Sequence, residues 1–279
     1  MKPAAVEWLA PSSLPEALSL RAERGEEATV IAGGTFLGIL VNQGFLDPAA
    51  MLALVGVPEL RGIDVSEDGA LRLGATVTHR AVERDARIRD GWPALARAFG
   101  LVASPRLRNQ ATVGGVLADA DYASDPPAML AALGARAVLR STRGERSVPI
   151  GELILGYYET CIEPDELLVE VRVPSALQRA TYRKHRSRSS EDRPCVAVAA
   201  AQTTGGELRV VVGAVAETPQ HFPDVCALAD GGLDTDVATE IGLRYAERIE
   251  PIGDARGSGE YRRRVTAVEV RRALEELAA

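Results

Sequence analysis

Residues 28–41 read Ala28-Thr-Val-Ile-Ala-Gly-Gly-Thr-Phe-Leu-Gly-Ile-Leu-Val41, and this stretch decides the fold of the first part of the chain. The run Ala28–Ala32 is short, apolar and rich in β-branched residues, which predicts a strand. It stops at Gly33-Gly34-Thr35, and apolar residues resume at Phe36–Val41, so a tight turn and a helix should follow. A further strand at Met51–Val55 would complete a βαβ-like unit with a right-handed crossover.

A second diglycine stands in Thr112-Val-Gly-Gly-Val-Leu117. The residues before it predict a strand and two helices, at Ala70–Thr76, Thr78–Glu83 (with Thr78 as the cap) and Pro93–Phe99. The residues after it predict an Ala/Leu helix that ends near Leu133. Ser124 or Asp125 is expected at its N-cap, because Pro126 suits the first helical position.

The remaining sequence predicts strands followed by two long helices. The strands are expected at Ala135–Arg140, Glu166–Val173, Ala180–Lys184, Val196–Thr203 and Leu208–Ala216, and the helices at Thr235–Arg248 and Glu260–Leu277. Tyr261, Val265, Val268 and Leu274 should form the packing face of the last helix, with Arg262 and Glu269 elsewhere.

These elements predict an α+β protein with two domains. The first, residues 1–175, has two lobes, a small N-terminal α/β lobe of about 1–55 and a larger mixed α/β lobe of about 56–175. The second, residues 176–279, is a three-stranded antiparallel sheet packed with helices. Pro174 separates the two domains.

The glycine pairs indicate a phosphate site. A diglycine that leaves a strand permits positive φ and close approach of the backbone, so that successive N–H groups converge on an anion. Neither segment contains lysine or fits GxxxxGK[ST] or GxGxxG, which argues against a nucleoside triphosphatase and a standard Rossmann unit. Backbone N–H groups and the hydroxyls of Thr35 and Thr112 would then meet the charge. Arg106 and Arg108 either contribute or are solvated surface charges.

Composition and charge exclude several classes of function. The net charge of −7, with both signs interspersed, argues against binding of nucleic acid. No apolar run reaches the roughly 20 residues of a membrane span, and the start MKPAAVEWLAPSSLP lacks the apolar core of a signal peptide, so we expect a cytoplasmic protein.

No metal site and no catalytic side chain are predicted. Cys161, Cys195 and Cys226 are too far apart in sequence for a zinc or local iron–sulfur motif and are expected to be free, mostly buried thiols. The acidic cluster Asp119, Asp121 and Asp125 misses calcium-loop spacing, which favours helix-start and loop carboxylates over a metal site. The three histidines, His79, His185 and His221, have no partner motif for acid–base chemistry.

Five segments in a fixed order resemble the FAD-binding medium subunits of molybdenum hydroxylases, the family of the carbon monoxide dehydrogenase and bacterial xanthine dehydrogenase type. Ala32-Gly-Gly-Thr-Phe-Leu37 is similar to AGGTxL, Arg108–Leu117 to RNxxTIGGNL, and Ala120–Pro127 to ADPxSDxP. Thr181–Lys184 is similar to a YxK strand, and Ser258–Leu274 to the C-terminal helix of the family. The resemblance covers nearly the whole chain.

The resemblance implies that this chain binds FAD. The pyrophosphate and adjacent ribose would lie against Ile31, Ala32, Gly33, Gly34, Thr35, Phe36, Leu37, Thr112, Gly114, Gly115 and Val116. Asp125 would bind a hydroxyl of the flavin nucleotide, while Val102, Leu168 and Lys184 would lie near the isoalloxazine or its ribityl chain. Read without the resemblance, Asp125 is a helix cap and Lys184 a surface lysine.

Two positions depart from the family pattern. Val116 stands where many members have Asn, and Arg193 where relatives often carry an aromatic residue near the flavin ring. Val116 removes a side-chain hydrogen bond, and Arg193 changes the surroundings expected for the ring.

By the same resemblance, the chain would work within a complex. A large partner subunit would hold the molybdenum cofactor and a small one two [2Fe–2S] clusters, arranged as a dimer of heterotrimers. FAD would collect electrons from the clusters and pass them to NAD⁺, oxygen or another acceptor. Two alternatives stay open at this point, a stand-alone FAD-dependent oxidoreductase and a non-catalytic nucleotide-binding assembly module.

Overall fold

The computed structural model describes residues 6–175 and 179–279. Residues 1–5 of the predicted first lobe and residues 176–178 of the predicted C-terminal domain lie outside this range. Within it, the predicted α+β architecture is confirmed, with two lobes followed by a three-stranded antiparallel sheet and its helices.

The N-terminal lobe is a three-stranded parallel sheet with the strand order β1-β3-β2. Its elements are β1 (Glu7–Leu9), α1 (Leu14–Arg24), β2 (Ala28–Ile31), α2 (Leu37–Asn42) and β3 (Ala50–Ala53). The predicted β2, turn, α2 and β3 are confirmed. β1 and α1 were not predicted, although Ser13 caps α1 by accepting a hydrogen bond from the N–H of Glu16.

The second lobe is built on a five-stranded antiparallel sheet. It begins with β4 (Ile63–Val65), β5 (Leu71–Gly74), α3 (His79–Arg84), α4 (Ala86–Gly91), α5 (Pro93–Gly100), α6 (Pro105–Arg108), α7 (Val113–Ala118) and α8 (Pro126–Ala132). It continues with β6 (Arg136–Ser141), β7 (Gly144–Pro149), α9 (Ile150–Leu153), β8 (Ile154–Gly156), β9 (Glu159–Thr160) and β10 (Leu167–Val173). The strand order is β4-β5-β10-β6-β7, and β8 and β9 form a separate hairpin.

The C-terminal part consists of β11 (Arg179–His185), β12 (Val196–Gln202), β13 (Leu208–Gly213), α10 (Pro223–Cys226), α11 (Thr235–Arg248) and α12 (Gly259–Ala278). Its sheet has helices on both faces. Ala197, Ala199 and Ala201 of β12 join the core around α8, while the alternate residues face the core formed with α11 and α12. Because side chains of β12 alternate between the two faces of the sheet, small ones pack against α8. This packing brings β11 close to the second lobe.

The predicted packing face of α12 is wrong in part. Tyr261 and Val268 are exposed, whereas Arg262 is completely buried and Glu269 is nearly so. Arg262 donates to the carbonyl oxygens of Cys195 and Ala214 and pairs with Asp254. A buried arginine is tolerated only when its N–H groups find acceptors. These loop carbonyl oxygens, together with hydrophobicity, therefore determine which face of α12 is buried.

Candidate functional site

A cavity of about 440 Å³ lies between the two lobes and the start of the C-terminal sheet. Every predicted site residue except Ile31 lines this cavity. The Ile31 side chain lies beside Gly34, where an added Cβ atom would be 3.3 Å from Ile31 Cδ1. The lining includes residues from all three parts of the chain, for example Thr35, Val116 and Lys184. A cavity of this volume is in the range of cofactor sites.

The first glycine segment has the features predicted for anion binding. Gly34 has a φ of +67°, which favours glycine. A Cβ atom at Gly33 would lie 2.0 Å from the carbonyl oxygen of Gln110, so glycine is required for the contact between this loop and the second segment. The backbone N–H groups of residues 33–36 make no hydrogen bond to a described residue. They are available to a phosphate.

The second glycine segment differs from the prediction. Gly114 and Gly115 lie in the first turn of α7 without positive φ, and their N–H groups already donate to the Ala75 carbonyl oxygen and to Thr112 Oγ1. A Cβ atom at Gly114 would lie 2.7 Å from Ala75 Cβ. Gly114 therefore serves close packing of α7 against Ala75, and Gly115 leaves room for the Thr112 hydroxyl. The expectation that they present converging N–H groups is corrected.

Asp125 and Lys184 meet in a buried ion pair at the cavity wall. Lys184 Nζ lies 2.9 Å from Asp125 Oδ2 and also donates to the Leu101 carbonyl oxygen at 2.9 Å. The hydroxyl of the fully buried Tyr182 donates to Asp125 Oδ1 at 2.7 Å. Burial raises the pKa of Asp125 and lowers that of Lys184, because both charges are removed from water.

This arrangement corrects two interpretations made from the residues alone. Asp125 occupies the N-cap position of α8, but its side chain makes no capping hydrogen bond, because both of its oxygens are used by Tyr182 and Lys184. Lys184 is not a surface lysine, since 1% of its side chain is exposed.

Val102 is positioned by Arg108. The Arg108 Nη1 group donates to the carbonyl oxygens of Val102 and Ala103, at 2.8 and 2.9 Å, and Nε donates to Glu83 at 3.0 Å. Ala103 has a φ of +39°, an uncommon value for a residue with a side chain. Arg108 is thus neither a phosphate contact nor a solvated charge; it holds the turn that carries Val102 to the cavity.

Arg21 and His79 line the cavity but were not predicted there. Arg21 Nε is buried without a hydrogen-bond partner among the described residues. His79 donates from Nε2 to the Thr112 carbonyl oxygen at 3.2 Å, and burial lowers its pKa to about 4, so it is neutral at pH 7. Neither belongs to a motif, and only the tertiary structure brings them to the site.

Val116 and Arg193, the two positions that depart from the family pattern, also line the cavity. Val116 adds an apolar surface, and Arg193 forms an ion pair with Asp121 in which Nη1 and Oδ2 are 2.6 Å apart. Asp119 is half-buried next to this pair. Burial, and then the negative charge of Asp121, raise the pKa of Asp119 to about 7.

Replacement of Asp119 by Asn should therefore change the pH dependence of stability. A carboxyl group whose pKa is higher in the folded chain contributes stability that is complete below about pH 4 and is lost as the pH rises through 7. Because the Asn variant does not ionise, it should be more stable than the parent at pH 8, by on the order of 1–2 kcal/mol after allowance for partial exposure. Urea unfolding at pH 5 and pH 8 measures this, and an equal effect at both values would contradict it.

Two of the three carboxylates of the acidic cluster have protein partners. Asp121 accepts from Arg193 and from the Ala123 N–H, and Asp125 accepts from Lys184 and Tyr182. In the described residues, no group of three His, Cys, Asp or Glu side chains is arranged to hold a metal ion. The cysteines are free as predicted, with Cys195 and Cys226 buried and Cys161 half-buried.

None of the described helices is both long and apolar enough to cross a membrane.

Comparison with known proteins gives matches along the whole chain. Residues 4–176 match the family model described as the FAD binding domain in molybdopterin dehydrogenase, and residues 180–277 match the CO dehydrogenase flavoprotein C-terminal domain. The 6-hydroxypseudooxynicotine dehydrogenase complex subunit alpha of Paenarthrobacter nicotinovorans is 30% identical, over 98% of this chain and 95% of its own.

Two further similarities concern carbon monoxide dehydrogenases. The medium chain from Hydrogenophaga pseudoflava is 31% identical, over 98% of this chain and 97% of its own. A chain in the structure of reconstituted CO dehydrogenase from Oligotropha carboxidovorans superimposes with a TM-score of 0.93 at 28% identity, over 100% of this chain and 99% of that chain. Sequence and backbone thus agree over the same full length.

Proposed function

The chain belongs to the family of FAD-binding subunits of the molybdopterin dehydrogenases, and we propose that it takes electrons from an iron–sulfur partner subunit onto FAD and passes them to an acceptor such as NAD⁺ or oxygen. The observation that carries the proposal is the cavity between the lobes, with the Asp125–Lys184 pair at one wall and, at another, N–H groups that have no partner in the described part of the chain.

The residues of the cavity fit FAD. The N–H groups of residues 33–36 and the hydroxyl of Thr35 would hold the pyrophosphate, and the positive φ of Gly34 shapes the turn that presents them. Arg21 Nε adds a buried donor that has no partner among the described residues. A positive group near a pyrophosphate is favourable in a site with little water.

The other wall would hold the flavin end. Asp125 would accept a hydrogen bond from a hydroxyl of the nucleotide, while Val102 and Leu168 offer apolar contact and Lys184 a fixed positive charge. FAD supplies the redox chemistry, accepting and releasing one or two electrons, which no side chain of this set provides. The protein contributes binding, orientation and electrostatics.

The chain depends on partners for the other redox groups. Its three cysteines are far apart and free, so they cannot ligate the [2Fe–2S] clusters. We place the clusters on a small subunit and the molybdenum cofactor on a large subunit, and we propose a dimer of heterotrimers. The substrate of the complex would then be selected on the large subunit.

The purified chain, reconstituted with FAD, should show flavin absorbance that stays with the protein through gel filtration. Co-expression with the two partner subunits should give a complex that contains iron, molybdenum and flavin. A colourless chain that takes up no FAD would contradict the proposal, and a flavin-loaded chain that oxidises a substrate without partners would favour a stand-alone oxidoreductase.

A further inference from the structure

Tyr182 is a buried phenol behind the cavity wall, and the proposed function gives it no role. Its ring is completely buried in the hydrophobic core around α8 and does not line the cavity. Its hydroxyl donates to Asp125 Oδ1 at 2.7 Å. A buried tyrosine hydroxyl has to find a partner, whereas phenylalanine would fill the same space without one. The contact with Asp125 is therefore what the hydroxyl adds to the packing of the ring.

The strand β11 places Tyr182 and Lys184 on one face of the sheet. They are two positions apart, and side chains of a strand alternate between its faces with a period of two. Their register partners on β12 are Ala199 and Ala197, which belong to the core around α8. Both long side chains reach the start of α8, where each one holds a different oxygen of Asp125.

The two contacts leave Asp125 able to accept a further hydrogen bond on the side of the cavity. Tyr182 uses Oδ1 and Lys184 uses Oδ2. An ionised carboxylate has about four acceptor sites, so each oxygen keeps one. Asp125 lines the cavity, whereas Tyr182 approaches the carboxylate from behind. The Tyr182 hydroxyl can therefore act on the contents of the cavity only through Asp125.

The groups around Asp125 decide whether it carries a charge. Burial raises the pKa of Asp125. The Lys184 charge, the Tyr182 hydroxyl and the Arg186 charge lower this pKa, and Lys184 itself lies in the field of Arg186 and Asp192. Burial and the charge of Asp125 raise the pKa of Tyr182 well above its ordinary value, so the hydroxyl keeps the proton that it donates. Loss of this hydroxyl removes one of the groups that favour the carboxylate.

We propose that Tyr182 is a positioning residue for FAD binding, whose hydroxyl keeps Asp125 in the ionised form that accepts a hydroxyl group of the cofactor. This inference rests on the proposed function, in which Asp125 faces a hydroxyl of the nucleotide. Charge-assisted hydrogen bonds are about twice as strong as neutral ones, so an ionised Asp125 holds such a hydroxyl more tightly than a protonated one. Tyr182 thereby sets the lowest pH at which the chain retains FAD.

The test is the pH dependence of FAD affinity in Tyr182→Phe, measured by fluorescence titration of the full chain between pH 4.5 and pH 9. In the parent, the Kd for FAD should rise as the pH falls, because Asp125 takes up a proton. In the variant, the midpoint of this rise should lie about one pH unit higher, because the carboxylate has lost a hydrogen bond that favours it. At pH 9, where Asp125 is ionised in both proteins, the two Kd values should agree within about threefold.

Tyr245→Phe is the matched control. Tyr245 is also completely buried, and its hydroxyl donates to the Val210 carbonyl oxygen at 2.7 Å in the core formed with α11 and α12. Because Tyr245 does not line the cavity and its acceptor is uncharged, the change should lower the melting temperature and leave the pH midpoint of FAD affinity unchanged. A parent-like pH profile in Tyr182→Phe, or an equal shift in Tyr245→Phe, would overturn the proposal.

Asp125→Asn keeps the proposal testable if Tyr182→Phe does not fold. Asparagine does not ionise, so the FAD affinity of this variant should be independent of pH over the same range. A Kd that still rises at low pH as in the parent would show that another group titrates and would overturn the proposal. Failure of the parent chain to bind FAD at every pH would instead refute the proposed function, and this inference with it.

Discussion

Gly33→Ala is expected to abolish uptake of FAD by the purified chain. The added methyl group would lie 2.0 Å from the Gln110 carbonyl oxygen, 2.7 Å from its carbonyl carbon and 3.2 Å from Ala111 Cα. All three atoms belong to the backbone, so a change of rotamer cannot relieve the overlap, and the two cavity segments must separate. We expect a loss of about 1–3 kcal/mol of stability from overpacking and a fall in FAD affinity of at least tenfold.

Gly38→Ala provides the control for this prediction. Gly38 lies in α2, and a Cβ atom there would meet nothing within 4 Å. Alanine in a helix is favoured over glycine by about 0.5–1 kcal/mol, so this variant should be as stable as the parent or slightly more stable. FAD titration and thermal unfolding of both variants measure the contrast, and normal FAD binding by Gly33→Ala would show that the loop contact is dispensable.

Lys184→Met is expected to be the most destabilising single change at the cavity. It leaves Asp125, 3% exposed, without its positive partner. Removal of one member of a buried ion pair costs about 3–5 kcal/mol. Because burial raises the pKa of Asp125, its carboxylate can be neutralised by a proton, and the loss should be greater at pH 8 than at pH 5.

A double-mutant cycle measures how strongly Asp125 and Lys184 stabilise each other, apart from their contacts with other residues. Asp125→Asn combined with Lys184→Met should cost less than the sum of the two single changes, with a coupling of about 0.5–3 kcal/mol. The exposed pair of Arg244 with Glu240 on α11 is the control, and Arg244→Met should leave the stability nearly unchanged. Strictly additive costs at the cavity pair would mean that the two side chains do not stabilise each other.

Local sequence patterns determined most of the elements. The β-branched run before Gly33 and the apolar run after Thr35 specify β2 and α2 through periodicity and turn chemistry, which act between near neighbours. Short or polar elements gave no such signal. The strands Glu7–Leu9, Ile63–Val65 and Gly144–Pro149 were not predicted, because each has much of its surface exposed and is held by pairing with a distant strand.

The sequence also placed most of the site, but it could not assign the roles of several residues. Arg108 was ambiguous between a phosphate contact and a surface charge, because its acceptors belong to a backbone turn that no pattern predicts. Arg262 was assigned to the wrong face of α12 for the same reason, since hydropathy does not reveal which carbonyl oxygens a buried guanidinium will meet.

The sequence by itself determined the order of elements, the α+β class and the two glycine pairs with the segments that accompany them. Only the tertiary structure showed that the two glycine pairs have different roles. The N–H groups of Gly33 and Gly34 have no partner among the described residues, and Gly34 has positive φ, whereas the N–H groups of Gly114 and Gly115 donate to the Ala75 carbonyl oxygen and to Thr112 Oγ1. The physical reason is that a glycine's role depends on which atoms come within contact distance, and Gln110 meets Gly33, Ala75 meets Gly114 and Lys184 meets Asp125 only in the folded chain.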